Sequence, residues 1–205
     1  MEQKINKAGE LVMGLLLGLM SLIVLLSWLA SAMDLSVISL LSGEGLRWLF
    51  TRCYQCVLHP ATLYALHFVV ALGALQYSGF LSSIGDMLHP RRNRTVTMRA
   101  KRAFFYGSMV WAVYVTLWIV LLLGSGDTLL SVTGRLYPSP FSAGLPTIVM
   151  AGAILSSWAF AYVGGAIRKV RDGVVLFYCG IRIYAVWLMN LWLCLLLDAM
   201  ITFVF

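Results

Sequence analysis

Charged residues are scarce in this chain. They make up 11% of its 205 residues, whereas 61% of the residues are hydrophobic. A soluble domain carries about 25% charged residues, so the composition excludes a domain whose entire surface is exposed to water. The deficit indicates lipid as the surrounding solvent. At this length we expect a single membrane domain over residues 1–205, with no separate soluble domain.

Motifs of nucleotide and hydrolase chemistry are also missing. No G-x-x-x-x-G-K-[ST] phosphate loop occurs, and the pair Gly164-Gly165 stands alone. Serine, histidine and acidic residues do not group as a catalytic triad requires. The sequence therefore predicts neither an enzyme nor a bound cofactor.

A cleavable leader is not indicated either. The first apolar run, residues 11–33, lacks a convincing small-residue cleavage site. It is also longer than the roughly 7–15 apolar residues of a signal peptide. We therefore expect this run to be retained as a first membrane span.

Long apolar runs are what the chain does contain. Five of them reach the length of about 20 residues that a spanning helix needs: residues 11–33, 61–81, 103–124, 145–167 and 183–203. The runs are unbroken rather than alternating, which excludes transmembrane β-strands. The sequence predicts an all-α polytopic membrane protein. Two starts are compatible with the sequence of the fifth span. Residues 174–180 are also apolar and would extend it, whereas Arg182 favours a break or a surface-lying segment.

The basic residues segregate to one side of these spans. Twelve of the 15 lysines and arginines fall at the N-terminus and in the loops after spans two and four, and the other side holds Arg47, Arg52 and Arg135. Positive residues stay cytoplasmic. We therefore expect an inner (plasma) membrane protein with a cytoplasmic N-terminus and an external C-terminus. The lipid bilayer explains the net charge of +7, and we expect no nucleic-acid partner.

Four polar side chains inside the predicted spans are candidates for binding a substrate or a coupling ion: His67, Gln76, Asn190 and Asp198. Such groups mark either a pathway or a hydrogen bond between helices. The hydrogen bond is favoured for the neutral His67 and Gln76. Asp198 is the one carboxylate well inside a span, about 8–10 Å from the helix end. It either reaches the interface or titrates within a packed bundle.

Two small motifs have competing interpretations. Gly14 and Gly18 form a G-x-x-x-G pair, which permits close packing of two helices and predicts a homo-oligomer, although glycine is common in membrane helices. Cys53 and Cys56 form a C-x-x-C pair with His59 nearby. Redox, metal or haem chemistry is conceivable for such a pair, but unlinked cysteines that pack are favoured, and we expect no metal site.

Two segments outside the spans are predicted to be external. The sequence YPSPFSAGLP at 137–146 is typical of a loop that enters span four. Ser42 is suited to cap a helix that begins near Gly43, with Glu44 in its first turn. Gly43–Gly45 is expected to turn the chain out of span one. The face then formed by Leu46, Leu49, Phe50 and Cys53, with Arg47 and Trp48 at headgroup level, predicts a short interfacial helix.

The same stretch resembles one family. SLLSGEGLRWLF, following an apolar span, resembles the loop after the first membrane helix of p-aminobenzoyl-glutamate transporters. The next stretch, LHPATLYALHFVVALGALQYSGFLSSI, is similar to their second helix. The resemblance covers roughly residues 20–90. The loop motif that it carries over consists of Ser42, Gly43, Glu44, Gly45, Arg47 and Trp48.

The resemblance implies an inner-membrane carrier, acting as a homodimer, for p-aminobenzoyl-glutamate or related folate-pathway compounds. Members of that family are much longer, and no substrate ligand is carried over onto this chain. We therefore expect a reduced transporter for aminobenzoyl-glutamate or related small organic anions. The alternative is a non-transporting membrane subunit or assembly partner, which the scarcity of polar residues in the spans favours.

Overall fold

A computed structural model of the chain describes residues 2–35, 37–88, 97–124, 137 and 139–204. Over these residues the fold is all-α, as predicted, with seven helices and no strand. The helices are α1 (Glu2–Ala32), α2 (Gly43–Val57), α3 (Pro60–Ser78), α4 (Phe80–Leu88), α5 (Met98–Gly124), α6 (Pro140–Gly164) and α7 (Val170–Val204). Five of them, α1, α3, α5, α6 and α7, are long and apolar enough to cross a membrane. The predicted number of spans is therefore confirmed by length and composition.

The chain forms two compact units. Unit one comprises Met1–Leu66 together with Ile183–Phe205, and unit two comprises His67–Arg182. Helices α3 and α7 each contribute one part to unit one and the other part to unit two. The predicted single membrane domain stays a prediction.

Unit one has its core where α1, α2 and the second part of α7 meet. The buried cluster consists of Leu40, Cys56, Leu196, Met200 and Val204. The segment between α1 and α2 is held by a hydrogen bond, since the Leu40 N–H donates to Ser27 Oγ of α1 over 3.2 Å. At the other end of α1, Asn190 Nδ2 of α7 donates to the Gly9 carbonyl over 2.9 Å.

Unit two contains α5 and α6, which pack along their length. Tyr114 Oη of α5 donates a hydrogen bond of 2.9 Å to the Ile148 carbonyl of α6. Gly152 lies against the Tyr114 ring, and a Cβ placed there would come within 2.7 Å of Tyr114 Cδ1. A small residue on α6 therefore admits a large aromatic from α5.

A second close approach in unit two joins α3 to α7. A Cβ added at Gly73 would overlap the backbone of Gly180, and one added at Gly180 would overlap the Val69 carbonyl oxygen. Small residues permit such backbone contact between apolar helices. This pair was not predicted, because its two glycines are distant in sequence and form no G-x-x-x-G motif.

The predicted second span, 61–81, is too long at its end. Helix α3 stops at Ser78, Gly79 adopts a left-handed φ of 80°, and α4 follows. The Ser78 hydroxyl accepts a hydrogen bond from the Phe80 N–H over 3.2 Å and so stabilises the break. Glycine is the residue that tolerates this φ.

The predicted loop at 137–146 is wrong from residue 140 onward, since α6 begins at Pro140. Ser139 and Ser142 form a reciprocal capping box, with 3.0 Å from each backbone N–H to the other hydroxyl. Pro140 suits a first helical position because no helical bond is lost there. The prolines therefore mark a helix start, and residue 138 lies outside the described residues. The helix ends before the predicted residue 167, because Gly165 has a left-handed φ of 79°.

The predicted break at Arg182 is also wrong. Helix α7 runs without interruption from Val170, so residues 174–180 belong to it. Arg182 is exposed, and a long cationic side chain on a helix surface extends its charge away from apolar surroundings. The helix begins at Val170, and Asp172 in its first turn stabilises this start, since its Oδ2 accepts hydrogen bonds from the Arg168 and Lys169 N–H groups, each over 3.0 Å.

We predict that Gly180→Ala destabilises the fold, because the added methyl group meets backbone that cannot move aside. Overpacking of this kind costs about 1–3 kcal/mol or more. Thermal unfolding in detergent is expected to shift to lower temperature. Gly85→Ala in α4 is the control, since its Cβ meets open space, and it should leave the midpoint unchanged or raise it. Equal midpoints for the two variants would contradict the close contact.

Candidate functional site

Helix α2 supplies four of the ten residues around the candidate site, and α7 supplies five. Its N-cap is Ser42, whose hydroxyl accepts the Gly45 N–H over 3.0 Å, and Glu44 lies in the first turn. Gly43–Gly45 therefore form the first helical turn, which confirms the predicted helix start near Gly43. The turn out of span one that was also predicted for these three residues is wrong, since they are helical. Gly45 packs against the preceding segment, since a Cβ there would lie 2.5 Å from the Ser39 carbonyl oxygen.

The inner face of α2 packs on the last turns of α7. Trp48 stacks on Phe203 with ring centroids 4.2 Å apart. Trp192 Nε1 donates to the Cys53 carbonyl over 3.3 Å. Leu49 and Cys53 pack against the core of unit one, whereas Phe50 is 76% exposed. The predicted apolar face is thus divided, with part of it buried and part facing outward.

Between α2 and the end of α7 lies a cleft of about 430 Å³. Its polar lining residues are Arg52, Gln55, His59, Asp198 and Thr202, and its other lining residues are Trp48, Cys56, Leu195, Ala199 and Phe203. We call this the cleft of unit one. A guanidinium, an imidazole and a carboxylate share this cavity.

The cationic and hydrogen-bonding groups of the cleft have defined surroundings. The Arg52 guanidinium carbon lies 5.9 Å from the centre of the Trp48 ring, a cation–π distance. His59 Nδ1 accepts the Ala61 N–H over 3.2 Å at the start of α3. The neutral imidazole therefore carries its proton on Nε2. Arg52 and His59 both offer donors to a bound anion.

The two cysteines of α2 are free. Burial raises the pKa of the Cys53 thiol. Burial, and then the neighbouring Cys53, raise the pKa of the Cys56 thiol. Raised values disfavour the thiolate that redox and metal chemistry needs. Among the described residues no three His, Cys, Asp or Glu side chains are grouped to hold a metal ion.

The predicted candidate residues do not gather in one place. Asp198 lines the cleft. Asn190 lies two turns earlier on α7, is 4% exposed, and donates its amide to α1. Its Oδ1 has no hydrogen-bond partner among the described residues. His67 and Gln76 belong to unit two, and neither is free of partners. Asn190 is thus part of a helix contact rather than of the cleft.

Arg52, Gln55 and His59 were missed as site residues by the sequence analysis. The signal was available, because Trp48, Arg52 and Gln55 recur at intervals of four and three, which places them on one helix face. His59 follows four residues after Gln55, just past the end of α2. The predicted substrate or coupling residues all lie in the spans, whereas α2 lies outside them.

Comparison with protein-family models, with curated proteins and with solved structures gives no match to this chain. The chemistry of the cleft is therefore argued from its own residues.

We predict that Cys56 alkylates several-fold more slowly than an exposed cysteine, and that its rate rises only at higher pH. The reason is the raised pKa of its thiol, because the reacting species is the thiolate. The test compares iodoacetamide rates between pH 7 and 10 for a chain that retains Cys56 alone and for Arg47→Cys in a cysteine-free background. The assignment would be contradicted if the alkylation rate of Cys56 rose at the same pH as that of position 47, or at a lower pH.

Proposed function

We propose that this chain is a polytopic inner-membrane protein that binds a small organic anion in the cleft of unit one. We further propose that it is a reduced relative of the p-aminobenzoyl-glutamate transporters. The observation that carries this proposal is the convergence of Arg52, His59 and Asp198 beside the Trp48 ring.

Large apolar surface supports the membrane environment. Along α5 the side chains of Val113, Leu117, Val120 and Leu123 are 55–80% exposed. Soluble monomers rarely expose contiguous apolar patches of more than a few hundred Å². Lipid chains would cover this surface without cost, since they are as apolar as leucine.

The charge distribution supports an external position for the cleft. The loops with most lysines and arginines are expected in the cytoplasm, together with the N-terminus. Helix α2 and the end of α7 then lie on the outer side. With 15 residues, α2 is shorter than the roughly 20 that a span requires. It is suited to lie along the outer interface, with the cleft accessible from outside.

The side chains of the cleft fit an aromatic anion with an amide or amine. Arg52 is positioned to hold a carboxylate, for which guanidinium is the preferred partner. Trp48 offers ring surface, and Asp198 can accept from an N–H group. Aminobenzoyl-glutamate combines carboxylates, an aromatic ring and N–H donors, which also agrees with the sequence resemblance.

We predict that position 47 is labelled from outside and position 49 is protected. Arg47 is exposed, whereas Leu49 packs against the core of unit one. Arg47→Cys and Leu49→Cys are made singly in a background without native cysteines, and an impermeant maleimide is added to intact cells. Labelling of both positions would indicate a solvated segment. Labelling only after the cytoplasm is opened would overturn the orientation.

We predict that Arg52→Gln weakens binding of p-aminobenzoyl-glutamate to the purified protein by about tenfold or more, since a charged hydrogen bond contributes about 1.5–3 kcal/mol. Arg47→Gln is the matched control, because it removes the same charge from the exposed face of α2. Isothermal titration in detergent measures the affinity. Equal losses in the two variants would contradict recognition in the cleft.

Asp198→Asn provides a further test of the site. Asp198 is exposed in the cleft, so folded yield should stay unchanged while the affinity for p-aminobenzoyl-glutamate, measured by the same titration, falls. A variant that binds as tightly as the wild type would remove Asp198 from the site.

A second candidate function, a non-transporting membrane subunit, has its own support. The buried polar side chains of the described residues are Ser27, Ser78, Ser139, Ser156, Ser157 and Asn190. The serine hydroxyls bond to nearby backbone, and Ser27 Oγ also accepts the Leu40 N–H, so these hydrogen bonds serve the packing of the helices. Gly14 and Gly18 face open space, as the proposed homo-oligomer would need. Uptake of labelled aminobenzoyl-glutamate into proteoliposomes separates the candidates, since a subunit would bind without uptake.

A further inference from the structure

Unit two contains a second cavity, a groove of about 570 Å³ between the last turns of α6 and the first turns of α7. Its apolar lining includes Leu155, Trp158, Tyr162, Val174 and Phe177. Each of these five side chains is 46–66% exposed. We call this the basic-rimmed groove, because Arg168 and Lys169 complete its lining.

The walls of the groove follow from local structure. Trp158 and Tyr162 lie one turn apart on α6 with nearly parallel rings, 18° between planes and 6.4 Å between centroids. They present a flat apolar wall. Gly173 of α7 packs closely against the Trp158 ring, since a Cβ there would lie 3.1 Å from Trp158 Nε1.

The rim of the groove carries net positive charge. Arg168 and Lys169 are exposed and line the groove. The nearest carboxylate in sequence is Asp172, whose Oδ2 is already engaged by two backbone N–H groups at the start of α7. The lining itself contains no acidic residue, so the rim favours an anion.

We propose that the basic-rimmed groove binds an anionic phospholipid, with an acyl chain along Trp158 and Phe177 and the phosphate at Arg168 and Lys169. A soluble anion would use the rim alone and would leave the apolar walls uncovered. A zwitterionic lipid would use the walls without charge complementarity. An anionic lipid satisfies both, and basic pockets between membrane helices on the cytoplasmic side suit such headgroups. The proposal does not depend on the cleft of unit one.

Native mass spectrometry of the purified chain tests this. The protein is titrated with phosphatidylglycerol or with phosphatidylcholine of the same acyl chains, and retained lipids are counted. We expect retention of phosphatidylglycerol at a concentration about fivefold or more below that of phosphatidylcholine. Glycerol phosphate, which has the headgroup chemistry but no acyl chain, should not compete. Equal retention of the two lipids, or effective competition, would overturn the proposal.

Two charge variants localise the site. Arg168→Gln with Lys169→Gln removes the rim charges and should abolish the preference for phosphatidylglycerol. Arg171→Gln with Arg182→Gln removes the same charge from α7 outside the groove lining and should preserve it. Loss of preference in both would indicate a general charge effect and would refute the groove as the site.

A third variant tests the apolar walls. Gly173→Leu places a side chain against Trp158 and so displaces that wall of the groove while both rim charges remain, and it should weaken retention of phosphatidylglycerol. If that variant does not fold, Phe177→Ala, which shortens an exposed wall residue, should weaken retention as well. Retention at the wild-type level by whichever variant folds would show that the acyl chain does not lie there.

Discussion

The attachment of α2 to the end of α7 is the interaction on which unit one depends. Stacking of Trp48 on Phe203 and the hydrogen bond from Trp192 to the Cys53 carbonyl hold a 15-residue amphipathic helix in place. A helix of that length is marginal by itself. Its stability therefore comes from packing, and the same packing brings Arg52 and His59 into one cavity with Asp198.

Local chemistry made much of the fold predictable. Apolar length identified the five long helices, and the serine before Gly43 marked the start of α2. Errors arose where a local signal has two meanings. Proline between 137 and 146 is typical of a loop but also of a first helical turn, and the capping pair Ser139 and Ser142 decides for the helix. The charge at Arg182 suggested a break, yet an exposed arginine is compatible with a continuous helix.

The cleft was predictable only in part. Asp198 stood out as the one carboxylate deep in a predicted span, but depth along a helix does not reveal what faces it. Arg52 and Gln55 reach the same cavity from α2, and His59 from the residues just after it, all more than a hundred residues earlier in sequence. Only the packing of α2 on α7 defines that proximity. The contact between Gly73 and Gly180 escaped prediction for the same reason, since both lie in unremarkable apolar sequence.

That backbone contact has a mechanical consequence for unit two. Where two helices are in contact through glycines, the backbone of each fills the space that a side chain would occupy on the other. Sliding one helix along its axis would drive the Val69 or Cys179 region onto opposing backbone, so translation is blocked. A change in the angle between the two helices keeps the two glycines in contact. The contact between α3 and α7 therefore acts as a fulcrum, which fixes the position of both helices and leaves their angle as the adjustable quantity.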